Sequence, residues 1–261
     1  MKISAATTFS LKGYELYGHK LIDTFYKYWT NSINLYVYYD TKPGAGWRTT
    51  SSNIHYIPLD MADLNAFKIR NSGNPKQSSK NFLCDGIRFS HKVFAYVDAC
   101  LTRGDDIVVW LDGDVITHRR VDEKIVLKWL NGKMAGALFR PWMYTETGFH
   151  VFDMRYPQAK EFMTIWREQY TNDHIWNLPG PTPKQKYLGY TDCHTYDHVR
   201  TGFSSDLWYN LSPASVKSQH PFVNGMLGEH MDHCKGDRKK AGRSRQADLQ
   251  VKRNEAYWRN K

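Results

Sequence analysis

The sequence predicts a single α/β domain, a Rossmann-like three-layer fold with a mostly parallel central sheet. Strand-like and helix-like segments alternate from residue 1 to about residue 170. The segment 105–114, DDIVVWLDGD, contains a nearly unbroken apolar run, which is typical of a strand covered on both faces. With 261 residues and 41% hydrophobic content, the chain is long enough to bury one sizeable core.

The N-terminal half supplies three strands and two helices. Residues 1–9, 33–40 and 53–59 are rich in β-branched and aromatic residues and predict strands. Residues 71–79, NSGNPKQSS, have the composition of a loop, and residues 80–101 predict a helix. The first helix is indicated by large apolar residues that recur at helical spacing, namely Tyr14, Tyr17, Leu21, Phe25 and Tyr28.

The elements continue in the same order after the apolar run. Residues 121–130 predict a helix, and residues 134–139 and 147–154 predict strands. Pro157 begins a helix over 157–170, because the missing N–H of proline is tolerated in the first helical turn. Ligands of such sheets bind beyond the carboxyl ends of the strands, so we expect a site just after residue 111.

Charge and composition narrow the class of protein. The formal net charge of +10 favours an anionic partner, and much of the excess lies in residues 235–261. No apolar run is long enough to span a bilayer, and residues 1–20 lack the apolar segment of a signal peptide. We therefore expect a cytoplasmic protein, in the host cytoplasm if the source is viral. Free thiols are favoured by the absence of any C-x-x-C pair among Cys84, Cys100, Cys193 and Cys234.

Two carboxylates, Asp112 and Asp114, follow the apolar strand with only Gly113 between them. Like charges this close repel unless a cation offsets them. Mg²⁺ and Mn²⁺ prefer oxygen ligands, and glycine permits a tight turn and close approach to a ligand. The pattern favours a metal site over an ordinary acidic turn.

Cations occur in two places that suit an anionic ligand. Arg88 and Lys92 lie four apart on one helix face, where a phosphate would offset their repulsion; a solvated basic face is the alternative. Residues 228–244, GEHMDHCKGDRKKAGRS, combine two histidines with several cations. We expect one histidine, His230 or His233, to reach an ion held elsewhere, because this crowded segment does not suit a closed zinc site. A basic, disordered tail is the alternative.

A further set of polar residues accompanies strand-like or loop segments. Each is able to orient a hydroxyl-rich ligand, but such a residue is more often a surface residue or a satisfied polar group of the core. They are Glu146, Asp192, His194, Asp197 and His198.

Four ordered segments resemble those of GT-A-type, D-x-D-containing nucleotide-sugar glycosyltransferases. They are the strand over 1–9, RFSHKVFAYVDA, VVWLDGDV and HMDHCKG. The resemblance is nearest to uncharacterised bacterial and phage glycosyltransferases, with a more distant likeness to the retaining, glycogenin-like group. It implies a GT-A-like domain over residues 1–244, followed by a basic C-terminal tail over 245–261. The Lys-Pro-Trp that ends the late motif of the glycogenin-like group is absent here.

The resemblance also implies ligands and roles. The donor would be a nucleoside-diphosphate sugar, with a UDP-sugar favoured, and the cofactor Mn²⁺ or Mg²⁺. The implied metal ligands are Asp112, Asp114 and His233. The residues implied to contact the donor nucleotide are Thr7, Thr8, Phe9, Arg88, Lys92, Asp112, Gly113, Lys235, Gly236 and Arg238.

Two carboxylates are the catalytic candidates. Glu146, beside Gly148, would lie near the transferred sugar. Asp192 would act as general base for the acceptor hydroxyl if the reaction inverts, and would only position the sugar if it retains. The acceptor would be a glycan, a protein or another hydroxyl-bearing molecule.

Two other functions stay open. A nucleotidyltransferase acting on sugar phosphates shares the layered fold, but it usually shows a Gly-rich loop after the first strand, where TTFSLKGYELYG has only scattered glycines. A non-enzymatic nucleic-acid-binding protein would suit the net charge. Nucleic acid is not the favoured partner, because an acidic pair would repel a phosphate backbone unless a metal intervenes.

Overall fold

The computed structural model of the chain describes residues 1–41, 51–140, 143–178, 189–213 and 220–259. The strands in chain order are β1 (Ile3–Phe9), β2 (Ile33–Tyr39), β3 (Ile54–Pro58), β4 (Ile107–Leu111), β5 (Val115–Thr117), β6 (Ala135–Arg140), β7 (Met143–Asp153), β8 (Trp208–Asn210) and β9 (Met231–His233). Seven of them form a sheet in the order β3-β2-β1-β4-β7-β6-β8, and β5 pairs with β9 in a separate two-stranded ribbon.

The helices confirm the four predicted segments and add others. In chain order they are α1 (Leu11–Gly13), α2 (His19–Tyr28), α3 (Ala62–Asn71), α4 (Gly86–Thr102), α5 (Glu123–Leu130), α6 (Pro157–Thr171), α7 (Asp192–Arg200), α8 (Pro221–Asn224), α9 (Arg238–Ala241) and α10 (Ala256–Arg259). A π-helical segment, Tyr14–Gly18, joins α1 to α2. The residues of α7, expected as strand-like or loop, are helical, and the Thr191 side chain caps them by accepting the His194 N–H at 3.4 Å.

The sheet is mostly parallel, as predicted. Strands β3, β2, β1 and β4 run parallel, and β8 runs parallel to β6. Only β7 is reversed, pairing antiparallel with both β4 and β6. The reversal follows from its short connection to β6, because a parallel pair needs a long crossover.

Strand β4 shows why the fold has three layers. Its side chains alternate between two cores: Ile107, Val109 and Leu111 join one, while Val108 and Trp110 join the other. Helices α2, α5 and α8 contribute to the first core, and α3, α4, α6 and α7 to the second. Among the helices in the described part of the chain, none has the length and apolar character that crossing a membrane requires.

The C-terminal segment packs against the rest of the domain. Asp232, in β9, is fully buried and accepts the Ser244 N–H and hydroxyl, both at 2.6 Å, and the Tyr257 hydroxyl at 2.8 Å. The Trp258 indole donates to the Gly228 carbonyl at 2.8 Å. The boundary at residue 244 stays a prediction, and residues 260–261 of the predicted tail lie outside the described residues.

Candidate metal centre

Asp112 and Asp114 lie directly beyond β4, at the carboxyl edge of the parallel strands. The Asp112 N–H donates to the Gly148 carbonyl in β7 at 3.0 Å, and the Val115 N–H donates to the Asp112 carbonyl at 2.9 Å. The first bond extends the sheet pairing by one residue, and the second closes a turn. These bonds fix the Asp112 backbone at the sheet edge, and Asp114 lies within the turn that the second bond closes.

The ribbon of β5 and β9 brings His233 to these aspartates. Val115 pairs with His233, and the Cys234 N–H donates to the Asp114 carbonyl at 3.0 Å. The His233 Nε2 atom lies 3.1 Å from Asp114 Oδ1 and 3.7 Å from Asp112 Oδ2. One oxygen of each carboxylate thus faces the same imidazole nitrogen.

These three side chains suit a hard divalent ion. One ligand atom from each of Asp112, Asp114 and His233 lies within 4.8 Å of the other two. Opposite ligands of an ion bound at about 2.1 Å are about 4.2 Å apart. Two carboxylates and an imidazole are a donor set that Mn²⁺ accepts. The residues present therefore fit the predicted ion.

In each aspartate, the outer carboxylate oxygen, which is the one that does not face His233, contacts another side chain of the protein. Asp112 Oδ1 lies 2.8 Å from Lys92 Nζ and accepts the Trp110 indole N–H at 2.7 Å. Asp114 Oδ2 lies 3.0 Å from Lys239 Nζ. These contacts turn the remaining oxygens toward the common centre.

Electrostatics keep this cluster charged. Burial alone would raise the pKa of Asp114, but His233 and Lys239 more than offset it and hold that pKa well below its usual range. Burial would likewise lower the pKa of the Lys92 ammonium, but neighbouring carboxylates, Asp112 first among them, raise it above its usual value. Asp114 and Lys92 are therefore ionised at neutral pH.

Glu146 lies on the opposite side of the His233 ring. Its Oε1 atom is 3.7 Å from His233 Nδ1, and its Oε2 atom pairs with Lys235 and with Arg140 Nη1, the latter at 3.4 Å. Burial alone would raise the pKa of Glu146, but Lys235, His233 and Arg140 hold it well below its usual range. The carboxylate is thus ionised and enclosed by cations.

Gly148 provides the space that the His233 ring occupies. A Cβ atom at Gly148 would lie 2.2 Å from His233 Cε1 and 2.5 Å from its Nδ1. The Phe222 ring, whose centroid is 5.3 Å from that of His233, packs beside it. The imidazole is consequently 3% exposed and tightly bounded.

Asp192 joins the cluster through Lys92. It is the first residue of α7, is 2% exposed, and its Oδ2 atom lies 2.7 Å from Lys92 Nζ. The Thr147 hydroxyl donates to the same oxygen at 2.6 Å, and Lys92 also donates to the Thr147 carbonyl. Lys92 therefore bridges Asp112 and Asp192.

The end of β1 lies against the turn that contains Gly113. A Cβ atom there would lie 3.0 Å from atoms of Phe9 and Tyr17 and 3.3 Å from the Thr8 carbonyl oxygen. The Gly113 backbone is outside the left-handed region, so glycine is needed for close approach and not for a special backbone angle. The Thr7 hydroxyl is buried without a hydrogen-bond partner.

The predicted phosphate-binding residues of the late motif are already engaged. Lys235 pairs with Glu146, and Arg238 forms a two-pronged ion pair with Asp248, in which Nε donates to Oδ2 at 2.6 Å. Gly236 has a left-handed backbone with φ of 57°, and a side chain there would meet no atom within 4 Å. Their contact with a phosphate stays a prediction.

Arg88 differs from these cations because its charge is not matched. It lies exposed on α4, with its guanidinium 5.5 Å from the Phe82 ring centroid. Across the ranges that the structure describes, no carboxylate lies within salt-bridge distance of Arg88. Its guanidinium is therefore available to an anion.

The two histidines left open by the sequence occupy different places. His230 has its Nδ1 atom 2.8 Å from the Arg120 carbonyl oxygen, and its ring centroid is 6.2 Å from that of Trp129. His233 alone of the pair lies with the aspartates. The structure thus brings His233, and not His230, to the acidic turn.

Sequence reasoning missed several contacts of the cluster. Trp110 had a usable signal, since it lies two residues before Asp112 and strand periodicity places both on one face. Lys239 belongs to the cations that the sequence offers to a phosphate, but nothing in the sequence distinguishes it from Lys240 as a partner of Asp114. Thr147 and Arg140 carried no signal either.

Comparisons with known proteins bear on the fold. No family model and no curated protein matches the chain. Among solved structures, the chain is similar to apo mouse xyloside xylosyltransferase 1, with a TM-score of 0.50 and 9% identity, over 81% of this chain and 86% of the mouse chain. The chain has a GT-A-like fold. At this identity the likeness concerns the fold alone, so the role of the site has to be argued from its own residues.

Proposed function

We propose that this GT-A-like protein is a metal-dependent glycosyltransferase, which moves a sugar from a nucleoside-diphosphate sugar to a hydroxyl acceptor. The observation behind the proposal is the convergence of Asp112, Asp114 and His233 at the carboxyl end of β4. The structural neighbour is by name a xylosyltransferase, which supports the same reaction class. We propose Mn²⁺ or Mg²⁺ as the ion and a UDP-sugar as the donor.

Asp112, Asp114 and His233 would hold the ion through their inward-facing oxygens and Nε2. When bound, the ion supplies charge neutralisation for the departing nucleoside diphosphate. Lys92 and Lys239 orient the two carboxylates through their outer oxygens. The metal ligands are thus already in place, so these side chains do not have to rearrange during sugar transfer.

Cations around this centre would bind the diphosphate. Arg88 lacks a carboxylate partner within the described ranges and is exposed, so it is the first candidate. Lys235, Gly236 and Arg238 lie in the segment directly after His233 and would contribute charge-assisted hydrogen bonds from their side chains and backbone. The end of β1 at Thr7, Thr8 and Phe9 would hold the nucleoside.

Asp192 is better suited to positioning than to proton transfer. It is 2% exposed, is paired with Lys92 and accepts the Thr147 hydroxyl. A general base needs an oxygen within hydrogen-bond reach of the acceptor hydroxyl. We propose that Asp192 fixes Lys92 and the sugar-binding edge, as expected of the retaining alternative.

Metal-dependent nucleotide binding tests the proposal. UDP, GDP and a short oligonucleotide are titrated by calorimetry with Mn²⁺, with Mg²⁺ and with excess EDTA, and UDP-sugar hydrolysis is followed in parallel. UDP is expected to bind only with the ion. Asp112→Asn and Asp114→Asn are each expected to weaken that binding about 100-fold, a change of about 2.7 kcal/mol.

Asp63→Asn is the matched control, because Asp63 is exposed on α3, away from β4. It is expected to bind UDP like the wild type. Ion-independent binding of the oligonucleotide, with no ion-dependent binding of UDP or GDP, would favour a nucleic-acid-binding protein. Full ion-dependent binding by the double variant of Asp112 and Asp114 would contradict the proposed metal centre.

A further inference from the structure

The buried carboxylate of Glu146 lies on the side of the His233 ring that is opposite Asp112 and Asp114. His233 Nε2 points to Asp114 and Asp112, while its Nδ1 points to Glu146 Oε1 at 3.7 Å. We propose that Glu146 is a positioning residue for His233, whose carboxylate holds Nδ1 so that Nε2 faces the metal. This inference rests on the proposed function of the same site.

The first argument is the way β7 surrounds the ring. A Cβ atom at Gly148 would lie 3.2 Å from Glu146 Oε1, so Glu146 borders the same space as the His233 ring. Gly148 leaves the space that the imidazole fills, and Glu146 supplies the charge at the end of that space. With Phe222 packed beside it, the ring has little freedom to rotate away from this orientation.

The second argument concerns the unsatisfied nitrogen of His233. Its Nδ1 atom is buried and makes no hydrogen bond, although Glu146 Oε1 lies only 3.7 Å away. A closing movement of less than about 1 Å would give a normal N–H···O distance. A proton held on Nδ1 leaves the lone pair of Nε2 for a metal, which is the usual arrangement of imidazole ligands with a carboxylate behind them.

The third argument is that Glu146 has no oxygen left for the reaction. Its Oε2 atom pairs with Lys235 and Arg140, and its Oε1 atom accepts the Gly148 N–H at 3.3 Å. The residue is 5% exposed. A nucleophile or general base must present an oxygen to the substrate, so the geometry assigns Glu146 to His233 and not to the transferred sugar.

A double-mutant cycle on metal affinity tests this role without requiring activity. Mn²⁺ binding is measured by electron paramagnetic resonance for the wild type, Glu146→Gln, His233→Ala and the double variant, with melting temperatures as a check of folding. Glu146→Gln is expected to weaken Mn²⁺ binding about 10- to 100-fold in the wild-type background. In the His233→Ala background the same change is expected to alter the affinity less than about 2-fold, because the group that Glu146 positions is gone.

The control is Glu161→Gln on the exposed face of α6, which is expected to leave Mn²⁺ affinity unchanged. Equal losses in both backgrounds would overturn the inference, since Glu146 would then act by its charge alone. No loss from Glu146→Gln would also overturn it. If Glu146→Gln does not fold, Glu146→Asp withdraws the carboxylate while keeping its charge, and the same coupling to His233 is required. A wild type that binds no Mn²⁺ would instead contradict the proposed function.

Discussion

At the scale of single residues, each aspartate of the acidic turn divides its two oxygens between the protein and the centre. The cluster as a whole is also balanced in charge. Four carboxylates face four cations, so the fixed charges balance before any ion binds: Asp112, Asp114, Glu146 and Asp192 against Lys92, Lys235, Lys239 and Arg140. A divalent ion entering such a cluster gains less than it would from bare carboxylates, and an anionic donor arriving with it restores the balance.

Lys239 provides a direct test of this balance. Its ammonium lies 3.0 Å from Asp114 Oδ2, where it repels any cation bound to the other oxygen. Lys239→Met is therefore expected to tighten the binding of Mn²⁺ alone, by up to about 10-fold, because one opposing charge is removed. Calorimetric titration of Mn²⁺ without nucleotide measures the change.

Lys240→Met is the matched control. Lys240 follows directly in α9 but is exposed, and within the described residues it makes no ion pair. Its loss removes the same formal charge from the same helix and is expected to leave Mn²⁺ affinity unchanged. Weaker binding in Lys239→Met would show that Lys239 orients Asp114 more than it competes with the ion.

At the scale of elements, strand β7 has two roles. Its backbone pairs with β4 on one side and with β6 on the other, and Gly148, next to the acidic turn, leaves the space that the His233 ring occupies. Gly148→Ala is expected to displace that ring, because the new Cβ atom would lie 2.2 Å from His233 Cε1. We expect a loss of Mn²⁺ affinity of at least about 10-fold and a stability cost of about 1–3 kcal/mol.

Electron paramagnetic resonance and urea unfolding measure these two effects of Gly148→Ala. Gly73→Ala serves as the control, since a Cβ atom at Gly73 meets no atom within 4 Å and its backbone is not left-handed. That variant is expected to match the wild type in both measurements. Unchanged Mn²⁺ affinity in Gly148→Ala would mean that His233 is not a metal ligand, or that the ribbon of β5 and β9 shifts without weakening Mn²⁺ binding.

The elements also show what periodicity reveals and what it does not. The sequence predicts α4 because its apolar residues recur at helical spacing, and it predicts β4 because its apolar run is nearly unbroken. Strands β5, β8 and β9 have three residues each, which is too few to show a periodic pattern in the sequence. Asp112 and Asp114 stand out in the sequence because they directly follow that apolar run. The choice of His233 over His230 depended on the pairing of β5 with β9, which the sequence does not reveal.

At the scale of the whole molecule, the C-terminal segment and the core are joined around His118, which is partly buried. The His118 ring stacks on Tyr257, with centroids 4.2 Å apart, and packs edge-on against Trp258. Burial first, and then the charge of His230, lower the pKa of His118 to about 4. Burial also lowers the pKa of His220, to about 3, and that of His150.

These histidines make folding stability fall as the solution becomes acidic. The unfolded chain takes up protons near pH 6.5, while the folded chain resists them until near pH 4 at His118. The unfolded state therefore binds more protons between these values, and stability decreases as pH falls through that window. We expect His118 to account for roughly 1–2 kcal/mol of the loss between pH 6.5 and 5.

Urea unfolding at a series of pH values from 7 to 5 measures this loss, and His118→Phe isolates the share of His118. Phenylalanine retains a flat ring for stacking on Tyr257 but does not titrate, so its stability is expected to fall less steeply with acid than that of the wild type. The comparison rests on slopes, since His118→Phe also loses polar contacts that lower stability at every pH. Equal slopes for His118→Phe and the wild type would show that His118 takes up its proton in the folded protein as readily as in the unfolded chain.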